Sequence, residues 1–186
     1  MSPTRRQVKR VYDSSTRQEK ARAAFNSTLD VAERLFVADG FESTTVAAIA
    51  ATAGVSEATI YKTYGGKAGL AREVCHRALR GEGAIPAQTR SNALRDAANA
   101  QEVAEGWGRL ATEVAPRIAP LMLVLRHAGL ADPEAAALYD EFDSQRLERM
   151  TDNARFLQRA GFLRDGVSLR EARDVLWQIR PHIGTL

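Results

Sequence analysis

Between residues 44 and 67 the chain reads TTVAAIAATAGVSEATIYKTYGGK, where apolar positions recur with a helical period, break at a glycine, and resume. Val46, Ile49, Ala50 and Ala53 share one face of a helix predicted over about 46–53, with the hydroxyls of Thr44 and Thr45 at its start. Gly54 supplies a left-handed end to that helix. Ser56 then caps a second helix, with Glu57 in its first turn on the favourable end of the dipole. Two short helices joined by so tight a hinge form a helix-turn-helix, whose second helix is the usual reader of the major groove.

The register of the second helix sorts its residues. At 100° per residue, Val55, Ile60 and Tyr64 turn inward, while Ala58 and Lys62 point outward, flanked by Thr59, Tyr61 and Thr63. A small residue near the helix start permits close approach. Hydroxyls, a phenol and a cation suit phosphates and base edges. On these grounds Glu57, Ala58, Thr59 and Lys62 are candidates for base edges, and Tyr61 for a phosphate or a thymine methyl. Thr44, Thr45 and Lys67, with the helix-start N–H groups, are candidates for phosphates, and Ser56 and Thr63 complete the set.

Downstream, GEGAIPAQTRS at 81–91 reads as a boundary rich in glycine, proline and polar residues. A helical pattern follows at about 101–114 through Val103, Trp107, Leu110, Ala111 and Val114, and Pro116 suits the first turn of a new helix. Asp132-Pro133-Glu134 predicts a helix start, with Leu138, Phe142 and Leu157 inward and a stop at Gly161. Ser168 and Glu171 make a capping box that opens a helix over about 168–180. No strand or internal repeat is visible, so the expected fold class is all-α.

Charge changes the picture more than composition does. Residues 1–80 hold 13 Lys and Arg against 8 Asp and Glu, a net of +5, whereas residues 81–186 hold 13 against 15, a net of −2. Positive charge thus gathers in the half with the helix-turn-helix, as attraction to phosphates requires. Much of it precedes the first apolar stripe, at Arg5, Arg6, Lys9, Arg10, Arg17, Lys20 and Arg22. Residues 1–22 therefore read as a flexible basic arm, either touching DNA or merely solvated. One cysteine, Cys75, and a polar N-terminus without an apolar core point to a cytoplasmic protein, and no apolar run approaches the length of a membrane span.

From about Phe25 to Leu79 the sequence resembles the TetR family of bacterial transcriptional regulators. The likeness rests on LDVAERLFVADGF, the TT pair, AGVSEATIY, the second aromatic at Tyr64, and Lys67 opening the next helix. It departs at Gly66, often a Ser in that family, and at Lys62 and Thr63, where aromatic residues or His are frequent. The resemblance implies an N-terminal three-helix DNA-binding domain over 23–80, including a linking fourth helix, and a helical effector-binding and dimerisation domain over 81–186. It implies a regulator, by default a repressor, that leaves a palindromic double-stranded operator when a small-molecule effector binds. Candidate pocket residues are Trp107, Met122, His127, Tyr139, Phe142, Met150 and Phe156, each of which a plain core position would also explain.

The resemblance also implies a homodimer built on two long closing helices, of which only one is visible before RPHIGTL. That leaves open a shortened relative acting as an interaction module without operator binding. An enzyme is disfavoured: there is no phosphate loop, paired Cys/His metal spacing or nucleophile elbow, and His76, His127 and His182 are scattered. No catalytic residue, metal or cofactor is expected.

Overall fold

The computed structural model describes residues 5–178, with side chains from Thr16 onward. Eight α-helices occupy that span: α1 (Arg5–Asp39), α2 (Val46–Ala53), α3 (Glu57–Tyr64), α4 (Lys67–Arg80), α5 (Ala87–Ala93), α6 (Ala100–Ala128), α7 (Pro133–Arg159) and α8 (Leu169–Gln178). A 3-10 turn over Leu94–Asp96 follows α5, and no strand is present among the described residues. The chain divides into two compact units inside α4, between Val74 and Cys75. Among the described residues no helix is long and apolar enough to cross a membrane, and no group of side chains is arranged to hold a metal ion.

The first unit is built on the C-terminal half of α1. Leu29, Ala32 and Phe36 turn inward, and the Phe36 ring stacks on Phe41 at 5.5 Å between centroids. Ile49 of α2, Ile60 of α3 and Leu70 and Val74 of α4 are fully buried and complete the core. One expectation is corrected here. The basic stretch read as an arm is part of α1, which begins at Arg5. From Arg5 to Asp39 the sequence holds no Gly or Pro and many Arg, Lys, Gln, Glu and Ala. Once the buried half has nucleated the helix, such residues extend it without an apolar face. The side chains of Arg5, Arg6, Lys9 and Arg10 lie outside the described residues, and Arg17, Lys20 and Arg22 are exposed.

In the second unit, α6 runs unbroken through Pro116 and Pro120, in place of the new helix expected at Pro116. An internal proline costs about 3 kcal/mol. Helix α6 nevertheless buries Val103 and Gly106 before the prolines and Leu121, Leu125 and Ala128 after them. Packing on both sides offsets the missing bonds, and Pro116 is exposed, so water can reach the carbonyl that its ring leaves unpaired. Helix α7 starts where Asp132 accepts from the N–H groups of Glu134 and Ala135, and Gly161 follows its end at φ +70°. The capping box is formed: Ser168 N–H donates to Glu171 Oε2 (2.8 Å) and Glu171 N–H to Ser168 Oγ (3.2 Å). Ile179, Pro181, His182 and Gly184, at the chain's close, lie outside the described residues.

The 81–91 stretch is more ordered than its composition suggests, because it contains the start of α5. Arg90 holds it. Its guanidinium grips Glu113 of α6 with both Nη atoms (2.8 and 2.6 Å) and also donates to the carbonyls of Ile85 and Glu82. The Arg90 hydrogen bonds, the Glu82 N–H and the charges of Arg90 and Arg117 lower the Glu113 pKa from 4.5 to about 2.

Candidate nucleic-acid interface

Local chemistry sets the helix-turn-helix. Thr45 has extended backbone angles and its Oγ1 accepts from Ala48 N–H at 3.1 Å, which starts α2. Gly54 ends that helix at φ +68°, and Val55 N–H returns to the Ala50 carbonyl at 3.0 Å. Ser56 then accepts from Thr59 N–H at 3.1 Å, and the two hydroxyls lie 2.8 Å apart. Gly65 closes α3 at φ +78°.

Two side chains anchor α3. Ile60 is completely buried, and half-buried Tyr64 packs its ring 5.3 Å from that of Phe25 while its hydroxyl donates to the Phe25 carbonyl at 3.3 Å. This orientation leaves Glu57, Ala58, Thr59, Tyr61, Lys62 and Thr63 exposed together with the cap Ser56. Lys62 makes no ion pair or hydrogen bond among the described residues. Tyr61 is 55% exposed, and its ring edge leans over the Cα of Gly66.

One predicted phosphate contact is corrected, and a second is also engaged within the fold. Thr44 is 3% exposed, and its hydroxyl turns inward toward the carbonyls of Gly40 (2.7 Å) and Leu35 (3.2 Å). It ties off the end of α1 and has no surface to offer a phosphate. Lys67 is half-buried; its Nζ donates to the Phe41 carbonyl at 2.9 Å and sits 4.3 Å from the centre of the Phe41 ring. It staples the start of α4 to the turn before α2. Thr45 alone of the three stays exposed.

Two glycines matter here beyond what the sequence pattern conveys. A Cβ on Gly69 would lie 1.7 Å from the Tyr64 carbonyl oxygen, so the first turn of α4 crosses the end of α3 at backbone contact. The only hint in the sequence is a glycine inside an otherwise helical stretch. Gly66 stands where a family serine would cap α4, yet its φ of +123° is one that serine rarely adopts.

The seven candidate pocket residues do not gather at one place. Trp107 and Phe156 meet edge to face at 6.1 Å, and Phe162, which no sequence pattern singles out, adds a second edge to Phe156 at 6.0 Å. Buried Phe142 instead packs on His76 at 5.2 Å. His127 is exposed near the end of α6, and Met122, Tyr139 and Met150 are half-buried. An open groove of ≈ 420 Å3 in the same unit is lined by Leu147, Glu148, Thr151, Asp152, Arg155 and Arg173, none of them among the seven.

Comparison with known proteins agrees with this geometry. Residues 29–74 match the family model for bacterial regulatory proteins of the tetR family. No curated protein matches the chain. Among solved structures, the chain is similar to the fatty acid degradation regulator FadR from Bacillus halodurans, with 18% identity, 83% of this chain and 78% of that one covered, and a TM-score of 0.60. It is also similar to the ketosteroid transcriptional regulator KstR2 of Mycobacterium tuberculosis, with 20% identity, coverage of 87% and 85%, and a TM-score of 0.53. The TetR-family regulator PfmR from Thermus thermophilus shares 22% identity over 80% of each chain, with a TM-score of 0.54. The match over 29–74 and these likenesses give the chain a TetR-type N-terminal segment and the fold of TetR-family transcriptional regulators.

Proposed function

We propose, from a TetR-type N-terminal segment and the regulators' fold, that this chain is a repressor which leaves a palindromic operator when a small molecule binds its second unit. The observation that carries the reading is the outward face of α3. Ile60 and Tyr64 fix the helix from beneath, and Glu57, Ala58, Thr59, Tyr61, Lys62 and Thr63 are left together at the surface. Lys62 and Glu57 are the assigned readers of base edges, at about 1–3 kcal/mol for each good contact. Thr45, Tyr61 and the N–H groups at the starts of α2 and α3 are assigned to phosphates. The chain acts in the cytoplasm as a homodimer, so that two copies of α3 meet two half-sites.

Release by a small molecule is a linkage argument. The ligand must bind the conformation that fits the operator poorly more tightly than the one that fits it well. FadR and KstR2 are named for fatty acid degradation and for ketosteroid regulation, and effectors of comparable size suit a helical second unit. Selection from a random duplex library, followed by anisotropy titrations at several salt concentrations, tests the reading. A twofold-symmetric consensus with steep salt dependence supports it. Binding that is absent, or that shows no sequence preference, overturns it in favour of an interaction module.

A further inference from the structure

The seam between α5 and α7 carries two guanidiniums with no carboxylate in contact. Arg149 of α7 donates from Nη1 to Asn92 Oδ1 (2.9 Å) and from Nη2 to the Gln88 carbonyl (3.1 Å). Arg95, in the 3-10 turn after α5, reaches Asn153 Oδ1 at 3.4 Å, and its guanidinium carbon stands 6.0 Å from the centre of the Phe156 ring. The Arg95 Nε is buried and has no partner among the described residues. Asn153 is itself buried and lies one turn beyond Arg149, so both cations face the same stretch of α7.

The charges act on each other. Burial lowers the Arg149 pKa, the positive charge of Arg95 lowers it further, and Asp152 opposes them. Asp152 is engaged elsewhere, by Arg155 at 3.0 Å. A neighbour shows the contrast. Arg90, on the same α5, has a bidentate carboxylate in Glu113 and two carbonyl acceptors besides. The other buried orphan nitrogen, Arg117 Nε, belongs to a guanidinium already paired with Glu82 at 3.3 Å. Half-buried Arg149 thus lies within reach of the charge of Arg95, and half-buried Arg95 carries the orphan nitrogen.

We propose that Arg95 and Arg149 form the binding site for a small molecule bearing an oxyanion, a carboxylate or a phosphate. A planar fork of N–H donors matches both groups. An oxyanion between the two cations removes their repulsion and supplies an acceptor for Arg95 Nε. Phe156, with Trp107 and Phe162 at its edges, adjoins the site and suits an apolar body attached to the anion. As the assignment of an effector class, this rests on the proposed regulation; as a binding site it does not.

Calorimetric titration of the full chain tests it, with octanoate and inorganic phosphate as probes and chloride at equal ionic strength as control. The comparison set is Arg95→Gln, Arg149→Gln and, as a charge-matched control on α7, Arg155→Gln. Saturable binding of either probe is expected, at least about tenfold weaker in the first two variants and unchanged in the third. Octanoate alone identifies a carboxylate with an apolar body, and phosphate alone a phosphate group. No saturable binding of either probe overturns the proposal, as does an equal loss in Arg155→Gln, which reports only general surface charge. Should Arg149→Gln fail to fold, Arg95→Gln decides, since it removes only one long hydrogen bond and a distant cation beside Phe156. Duplex affinity is measured separately. A chain that binds the probe but no duplex contradicts the proposed function and keeps the site; the reverse result contradicts the site alone.

Discussion

Gly69 and Tyr64 meet at backbone contact: a Cβ on the glycine would stand 1.7 Å from the tyrosine's carbonyl oxygen and 2.9 Å from its carbonyl carbon. Neither partner can yield by rotating a side chain. Gly69→Ala should therefore push α4 away from the end of α3, at a cost of about 2 kcal/mol or more. Operator affinity should fall with it, because Tyr64 helps to anchor the reading helix. Denaturant unfolding and anisotropy on the same protein check both effects. A variant as stable as the parent contradicts the backbone contact.

Gly66 provides a test in which two effects oppose each other. Serine there would offer α4 a side-chain cap, typically about 1 kcal/mol. It would also hold a non-glycine residue at φ +123°, a strain of about 1–3 kcal/mol. Strain should win, so Gly66→Ser is expected to lower the melting temperature rather than raise it. A stabilised variant would show that the backbone relaxes to accept the cap.

The adjacent threonines should separate. Thr44→Val removes a buried hydroxyl that serves the Gly40 and Leu35 carbonyls, and should cost about 1–2 kcal/mol of stability without altering the salt dependence of DNA binding. Thr45→Ala should cost about 1 kcal/mol through the lost cap and also weaken binding modestly. A changed salt slope in Thr44→Val would return that residue to the phosphate contacts.

Lys62 and Lys67 should behave as different kinds of residue. Lys62→Ala is expected to lose about 1–3 kcal/mol of operator affinity and to relax preference at particular base pairs. Lys67→Met gives up the bond to Phe41 and the cation over its ring, so its effect should appear in unfolding, with the salt slope unchanged. Equal losses of salt slope in both variants would contradict the assignment.

Glu113 predicts an acid response of the second unit. Its pKa is lowered from 4.5 to about 2 in the folded chain, chiefly by the hydrogen bond from Arg90. A depressed carboxyl pKa adds stability that is fully present above 4.5 and is lost as pH falls toward 2. Glu113→Gln should flatten that part of the stability profile and leave the neutral-pH slope alone. Chemical unfolding between pH 2 and 6 measures it, and parallel profiles would refute the assignment.

What the sequence determined by itself was whatever acts over a few residues. Thr45, Ser56, Asp132 and the Ser168–Glu171 pair each bond to a backbone N–H two or three residues on, so cap and helix start could be read together. The glycine ends of α2 and α7 were legible for the same reason, and the apolar period placed Ile60 and Tyr64 beneath the exposed face of α3. Tertiary structure decided the rest. Thr44 and Thr45 are chemically identical neighbours, and only the packing of the α1 end turns one inward. Lys67 finds its partner 26 residues away, Arg90 finds Glu113 at a separation of 23, and Tyr64 reaches Phe25 across 39. No local pattern encodes such pairings. The same holds for the run of α6 through two prolines, which burial on either side sustains, and for the scattering of the seven candidate pocket residues. A side chain's chemistry is written in the sequence; whether it meets solvent, a carbonyl or another cation depends on segments that meet only when the chain has folded.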